Sequence, residues 1–219
     1  MTLRISTSKE RKGTNSARPI ADAVRAHGVA RVVAVSSLGR GYTRPAGQLS
    51  AAWAMDDMLE TSGAAYRSMQ PPFFMENIAR QATLIRERDE FALTSAPDQP
   101  HPTVAVADVA SAAAELLADR TWTGQQGVPV RGPVDHTPRE MAGIMSDVLG
   151  RQISYRQIGI DDYRTQLASR GASPAVVGAM IEMAQAQWDG VYPPVEQGNG
   201  GTTFEIWCLR GPALLGQRC

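Results

Sequence analysis

Residues 31–36 read Arg31-Val32-Val33-Ala34-Val35-Ser36, a short apolar run rich in β-branched residues and free of polar alternation. A strand that is apolar on both faces must be covered on both faces, as it is inside a parallel α/β sheet. The flanks agree. Upstream, Pro19, Ile20, Ala23, Val24 and the Ala26-His27-Gly28 end predict a helix with proline in its first turn and glycine at its stop. Downstream, Ser37-Leu38-Gly39-Arg40-Gly41 predicts a loop. Residues 48–61 predict a helix with Leu49, Ala52, Met55 and Leu59 on one side, ended by Ser62-Gly63. Ala65-Tyr66-Arg67-Ser68-Met69 predicts a second strand, stopped by Pro71-Pro72.

The second half carries cleaner helix signals. Asp108 predicts a cap for a helix bearing Val109, Ala112, Ala113, Leu116 and Leu117. Thr137-Pro138-Arg139-Glu140 is a capping box with proline at the first helical position, closed by Gly150. Residues 153–158 alternate like a strand. Asp161 and Ser173-Pro174 predict the starts of two more helices, and residues 189–202 a loop. The order of elements argues for a parallel α/β sheet.

Charge and cysteine use restrict the chemistry. Lys+Arg 22 balance Asp+Glu 22, which argues against direct nucleic-acid binding. The only lysines are Lys9 and Lys12, so no proton relay can draw on a lysine later in the chain. Cys208 and Cys219, the only cysteines, make neither a disulfide framework nor a zinc site and predict a reducing cytoplasm. No apolar run reaches the roughly 18 residues of a membrane span. His27, His101 and His136 stand far apart in turn-like contexts and predict surface histidines with no metal site.

Three segments compete as a site. Gly39, Gly41 and Gly47 after the first strand suggest a phosphate loop, but a GxGxxG frame would place its third glycine on Arg44, so the spacing fails. Ser36 and Ser37 end the strand where ligands sit in open α/β sheets, and either bind there or merely cap a turn. Pro71-Pro72-Phe73-Phe74-Met75-Glu76-Asn77 offers a rigid, flat, aromatic surface, or else a hydrophobic plug.

Four segments, residues 25–41, 54–81, 106–133 and 136–158, together resemble the NmrA-like, atypical short-chain dehydrogenase/reductase family of NAD(P)-binding proteins. The resemblance covers residues 19–210. It implies an incomplete NAD(P)-binding Rossmann sheet made of the family's later strands, with a small C-terminal α/β substrate lobe. Residues 1–18 remain an irregular segment and 211–219 a tail. The resemblance implies that Ser36, Ser37, Pro71, Pro72 and Phe73 bind the nicotinamide side of NADP or NAD, and that Phe74 and Asn77 face substrate. Family members begin with a strand and a glycine-rich loop, followed by three further strands. Here the strand at Val32 comes about thirty residues in, so the chain resembles an N-terminally truncated member, with weak or absent cofactor binding expected. Leu49 and Trp53 fall near the family's active tyrosine and lysine. The family implies an NAD(P)H-dependent oxidoreductase acting on a small molecule. The alternative is a non-catalytic redox sensor that binds dinucleotide or a regulatory protein partner. An unpaired edge on the Val32 strand predicts homo-oligomers.

Overall fold

The computed structural model describes residues 10–193, 198 and 201–211. Its centre is a three-stranded parallel sheet in the order β1-β2-β6, built from β1 (Arg31–Val35), β2 (Ala65–Gln70) and β6 (Gln125–Pro129). Val32 stands opposite Tyr66 and Met69 opposite Val128. The helix α2 (Gln48–Glu60) joins β1 to β2, so the expected parallel pair and its crossover are present.

The apolar run has a neighbour on each face but is not buried as expected: Arg31–Ala34 are half-buried and Val35 is 52% exposed, because β1 is an edge of the described sheet. Val32, Ala34 and Tyr66 face α1 (Glu10–Ala26) and α2, where they meet Val24, Met55 and Leu59. Val33, Met69 and Val128 face α5 (Val106–Ala118) through Val109, Ala112 and Leu116. Among the described residues the outer edge of β1 pairs with no strand.

A lobe stands at the carboxyl ends of the strands. It contains the parallel pair β3 (Phe73–Phe74) with β5 (Thr103–Val104), the parallel pair β4 (Glu90–Leu93) with β7 (Ser154–Gln157), and the short helices α3 (Glu76–Ala79) and α4 (Ala82–Arg88). The longer helices α6 (Pro138–Leu149), α7 (Ile160–Ser169) and α8 (Pro174–Trp188) follow, and α9 (Phe204–Arg210) closes it. Phe204, Trp207 and Cys208 of α9 complete a core with Met75, Ile78, Phe91, Met141 and Met145.

Several expectations are corrected. The first helix begins at Glu10, not Pro19, so residues 10–18 of the segment read as irregular are helical; 1–9 and 212–219 lie outside the described residues. Ala17, Ala21 and Val24 are buried at helical spacing, so the packed face starts upstream of Pro19, whose missing N–H removes one bond without ending the helix. Asp108 is not a cap. Helix α5 starts two residues earlier, and the Glu76 carboxylate accepts the Val106 N–H at 3.1 Å. Asp108 instead accepts from the backbone and hydroxyl of Thr202. Helix α7 begins at Ile160, leaving Asp161 inside its first turn. The Thr137 capping box and the Ser173 cap stand as expected.

The histidines divide. His27 is exposed, but His101 is 4% exposed, because its backbone pairs with His136 in an antiparallel bridge that carries the ring inward. The buried face of α2 is Leu49, Trp53, Asp56 and Leu59. The expected face took Ala52 and Met55 in place of a carboxylate and an indole.

Candidate functional site

The chain leaves β1 and β2 side by side, so the residues after each strand are neighbours. The Ser36 N–H donates to the Met69 carbonyl at 2.8 Å, and the Leu38 N–H to the Pro71 carbonyl at 3.2 Å. These bonds hold the Ser36-Ser37 turn against the Pro71-Pro72 turn. A cavity of about 1060 Å³ opens at this point. Ser36, Ser37, Pro71, Pro72, Phe73, Phe74 and Asn77 all line it, whereas Gly39, Gly41, Gly47, Met75 and Glu76 of the competing segments do not. The far wall comes from α7 and α8, with Tyr163 and Met183, and from Tyr192 beyond them.

Ser36 is held by a buried carboxylate that sequence reasoning missed. Asp56 is fully buried on α2 and accepts three hydroxyl bonds: Ser36 at 2.7 Å, Ser68 at 2.9 Å and Tyr66 at 2.5 Å. Burial first, and this carboxylate second, push the Tyr66 phenol well above its ordinary value. With its proton committed to Asp56, the Ser36 hydroxyl turns its lone pairs outward and can accept from a ligand donor. The Ser37 carbonyl accepts the Trp53 indole N–H at 3.1 Å. A carboxylate three residues from Trp53 and Leu59 and seven from Leu49, on an otherwise apolar helical face, was the signal for this network.

The glycine loop is no phosphate cradle. A side chain at Gly39, where φ is +89°, would come within 2.5 Å of the Val191 carbonyl. Between its glycines, Arg40 is engaged by Asp57 and Glu60. The start of α2 is covered too, since a Cβ on Gly47 would strike the Ala179 carbonyl of α8. The loop therefore packs on the lobe at Gly39, while a Cβ on Gly41 would meet nothing within 4 Å.

Deeper in the cavity, burial pushes the His101 imidazole down to about 4, so the ring is neutral near pH 7. Its ring meets Phe73 edge-on at 4.7 Å. Burial pushes the Cys208 thiol up to about 12, which leaves it a core residue and no nucleophile. Among the described residues no cluster of His, Cys, Asp and Glu could hold a metal, and no helix is long and apolar enough to cross a membrane.

A family model described as NAD(P)H-binding matches residues 2–120. An NAD(P)H azoreductase of Xenophilus azovorans is 28% identical over 125 residues, which is 57% of this chain and 43% of that protein. A (4-alkanoyl-5-oxo-2,5-dihydrofuran-3-yl)methyl phosphate reductase of Streptomyces griseus is 31% identical over 160 residues, 69% of this chain and 55% of the relative. The chain thus spans about half the length of these relatives. Among solved structures, a Staphylococcus aureus nucleoside-diphosphate-sugar epimerase superposes with TM-score 0.75 at 14% identity, covering 95% of this chain and 75% of its own. An Escherichia coli NADPH-dependent quinone oxidoreductase gives 0.72 at 22% identity, with 88% and 71% covered. NmrA, a negative transcriptional regulator solved with NADP, gives 0.57 at 17%, with 70% and 51% covered.

Proposed function

The chain belongs to the NAD(P)H-binding family, and we propose that it is an NmrA-like member whose cavity takes the nicotinamide end of NAD(P)H beside a small organic acceptor and reduces that acceptor. One observation carries this reading: Ser36, Ser37, Pro71, Pro72 and Phe73 converge at the carboxyl ends of two parallel strands on a cavity of about 1060 Å³. Ligands of open α/β sheets lie at such strand ends.

The residues present fit one half of the cofactor. Ser36, oriented by Asp56, accepts from a ribose hydroxyl or the carboxamide. Pro71 and Pro72 fix the loop beneath the ring, and Phe73 supplies its apolar flank. Phe74 and Asn77 stand on the acceptor side. When bound, the dihydronicotinamide supplies hydride to the acceptor. For the pyrophosphate, the Gly39–Gly41 loop lacks the GxGxxG spacing and the start of α2 is covered by α8 at Gly47. Losing charge-assisted bonds of about 1.5–3 kcal/mol each weakens a dinucleotide by about two or three powers of ten.

The test compares dihydronicotinamide mononucleotide with NADPH by calorimetry, and follows NADPH oxidation over a panel of quinones. The mononucleotide should bind within about threefold of the dinucleotide if only the nicotinamide half is gripped. Tight, strongly preferential NADPH binding would revive a phosphate site; no binding of either would sink the reading. A second reading, a redox sensor without turnover, draws on Leu49 and Trp53. Both are buried, and the resemblance aligns them with the family's proton-relay positions. Binding without NADPH oxidation selects it.

A further inference from the structure

Leu49 and Trp53 bring no acid to the positions that the resemblance aligns with a proton relay, but a phenol reaches the same place from another element. The segment after α8 turns back onto the β1 loop, and Tyr192 packs on the cluster that contains Leu49, Trp53 and Val191. Tyr192 is half-buried and lines the cavity together with Ser37. Both of its chain neighbours are held. The Val191 N–H donates to the Ala186 carbonyl at 3.0 Å, and a Cβ on Gly39 would meet the Val191 carbonyl at 2.5 Å. The Arg131 guanidinium donates to the Pro193 carbonyl at 2.7 Å. At the phenol oxygen itself, the Gln187 amide donates at 3.3 Å, and the Ser37 hydroxyl makes a second hydrogen bond. The two hydroxyls carry two protons, and the bond between them uses one. Among the described residues the other has no acceptor. One hydroxyl proton is therefore left for a ligand in the cavity.

We propose that Tyr192 is the proton donor to the acceptor reduced in this cavity, with Ser37 and Gln187 as the residues that position its phenol. The assignment rests on the reductase reading. Of the two hydroxyls the phenol is the acid, with an ordinary pKa of about 10. Two electrons reach the acceptor as hydride from the dihydronicotinamide, so a C–H bond forms on the acceptor while one of its π bonds breaks onto the far atom. The Tyr192 O–H bond then breaks, and its proton bonds to that negatively charged atom. The tyrosinate left behind keeps the Gln187 N–H and the Ser37 hydroxyl as donors, which stabilise its charge, and it regains a proton from solvent. Burial raises the phenol above its ordinary value, and the Gln187 and Ser37 bonds pull it partly back, so the proton is in place near pH 7. The charged groups of the surrounding elements are paired: Arg44 with Asp189 at 2.9 Å, and Arg131 with Asp135. Tyr42 is the other phenol on the same cluster.

The test uses the whole chain and begins without cofactor. In a Tyr192→3-fluorotyrosine protein, the fluorine resonance should shift saturably as 4-nitrophenolate is added, because its oxygen carries the charge that the acceptor's far atom gains. 4-Nitroanisole, which lacks the charged oxygen, should leave the resonance in place. With NADPH and the quinone panel, Tyr192→Phe should lower kcat about a hundredfold and leave KM for NADPH within about twofold. The fluorinated phenol is the stronger acid, so the alkaline limb of its pH–rate profile should lie lower than the parent's, and Gln187→Met should move the limb up. A purely structural tyrosine would move neither limb. A fluorine resonance unmoved by 4-nitrophenolate, or a Tyr192→Phe protein that oxidises NADPH as fast as the parent, overturns the proposal. The fluorine signal is read with the ring intact, so a misfolded Tyr192→Phe cannot conceal the answer. No NADPH oxidation by the unaltered protein sinks the reductase reading and the transfer step together. Normal oxidation beside an unmoved fluorine signal sinks the transfer step alone.

Discussion

Replacing Asp56 with asparagine leaves the shape of the α2–sheet contact intact and alters only its hydrogen bonding. In the native protein the carboxylate accepts from Ser36, Ser68 and Tyr66 at 2.7, 2.9 and 2.5 Å, fully shielded from water. Bonds to a charged acceptor are worth about 1.5–3 kcal/mol each, but burying the carboxylate already costs several kcal/mol, so their sum overstates the net. An amide keeps one accepting oxygen and forces the remaining hydroxyls to accept from its NH₂. We expect Asp56→Asn to lose about 2 kcal/mol and Tyr66→Phe a similar amount. The two are in contact, so the double variant should fall short of additivity by about 1 kcal/mol. Urea titrations of the four proteins measure all three quantities. The same change frees the Ser36 hydroxyl to rotate, so ligands that donate to it should bind more weakly. Additive losses, or an Asp56→Asn protein within about 0.5 kcal/mol of the parent, would refute the network as the element that fixes Ser36.

Further outcomes follow from other features. His101 falls from 6.5 to about 4 on burial, so the unfolded chain takes up a proton that the folded one refuses. The resulting stability is present above about pH 6.5, is lost as pH falls towards about 4, and amounts to about 3 kcal/mol. His101→Phe should flatten that part of the pH profile in denaturant titrations; Glu60 and Glu140, both lowered by their partners, contribute equally in the two proteins. Glu76→Ala strips the α5 N-terminus and the Trp207 indole of a shared acceptor, at 3.1 Å from each, and should lower Tm by about 5 °C in calorimetry. The unpaired edge of β1 should make the chain self-associate, and a monodisperse monomer in light scattering would contradict this.

What the sequence disclosed was whatever it encoded locally. The Thr137 box and the Ser173-Pro174 start are each contained within a few residues and stand as read, and the run at 31–36 is a strand, though a half-buried edge one rather than one buried on both faces. The loops that line the cavity were legible because strand ends and prolines mark them. Pairings across long separations were not. β3 and β5 have two residues each, and β4 meets β7 more than sixty residues away, so neither shows a period of its own. His101 became buried only through its bridge to His136, and Asp56 is one polar residue on an apolar helical face. Tertiary partners, not local preference, decide such positions.

The placement of α9 has a consequence for how the protein matures during synthesis. The β1–α2–β2 unit joins residues close along the chain and can form early. The lobe core waits for Phe204, Trp207 and Cys208, which pack on Met75, Ile78 and Met141 from far downstream. Until the ribosome has released that helix, the apolar underside of the Phe73–Glu76 loop remains open to solvent and to chaperones. Non-local closure of this kind slows folding relative to helix–strand units. The nascent chain therefore builds the strand ends that carry Ser36 and Pro71 first, and gains a finished pocket last.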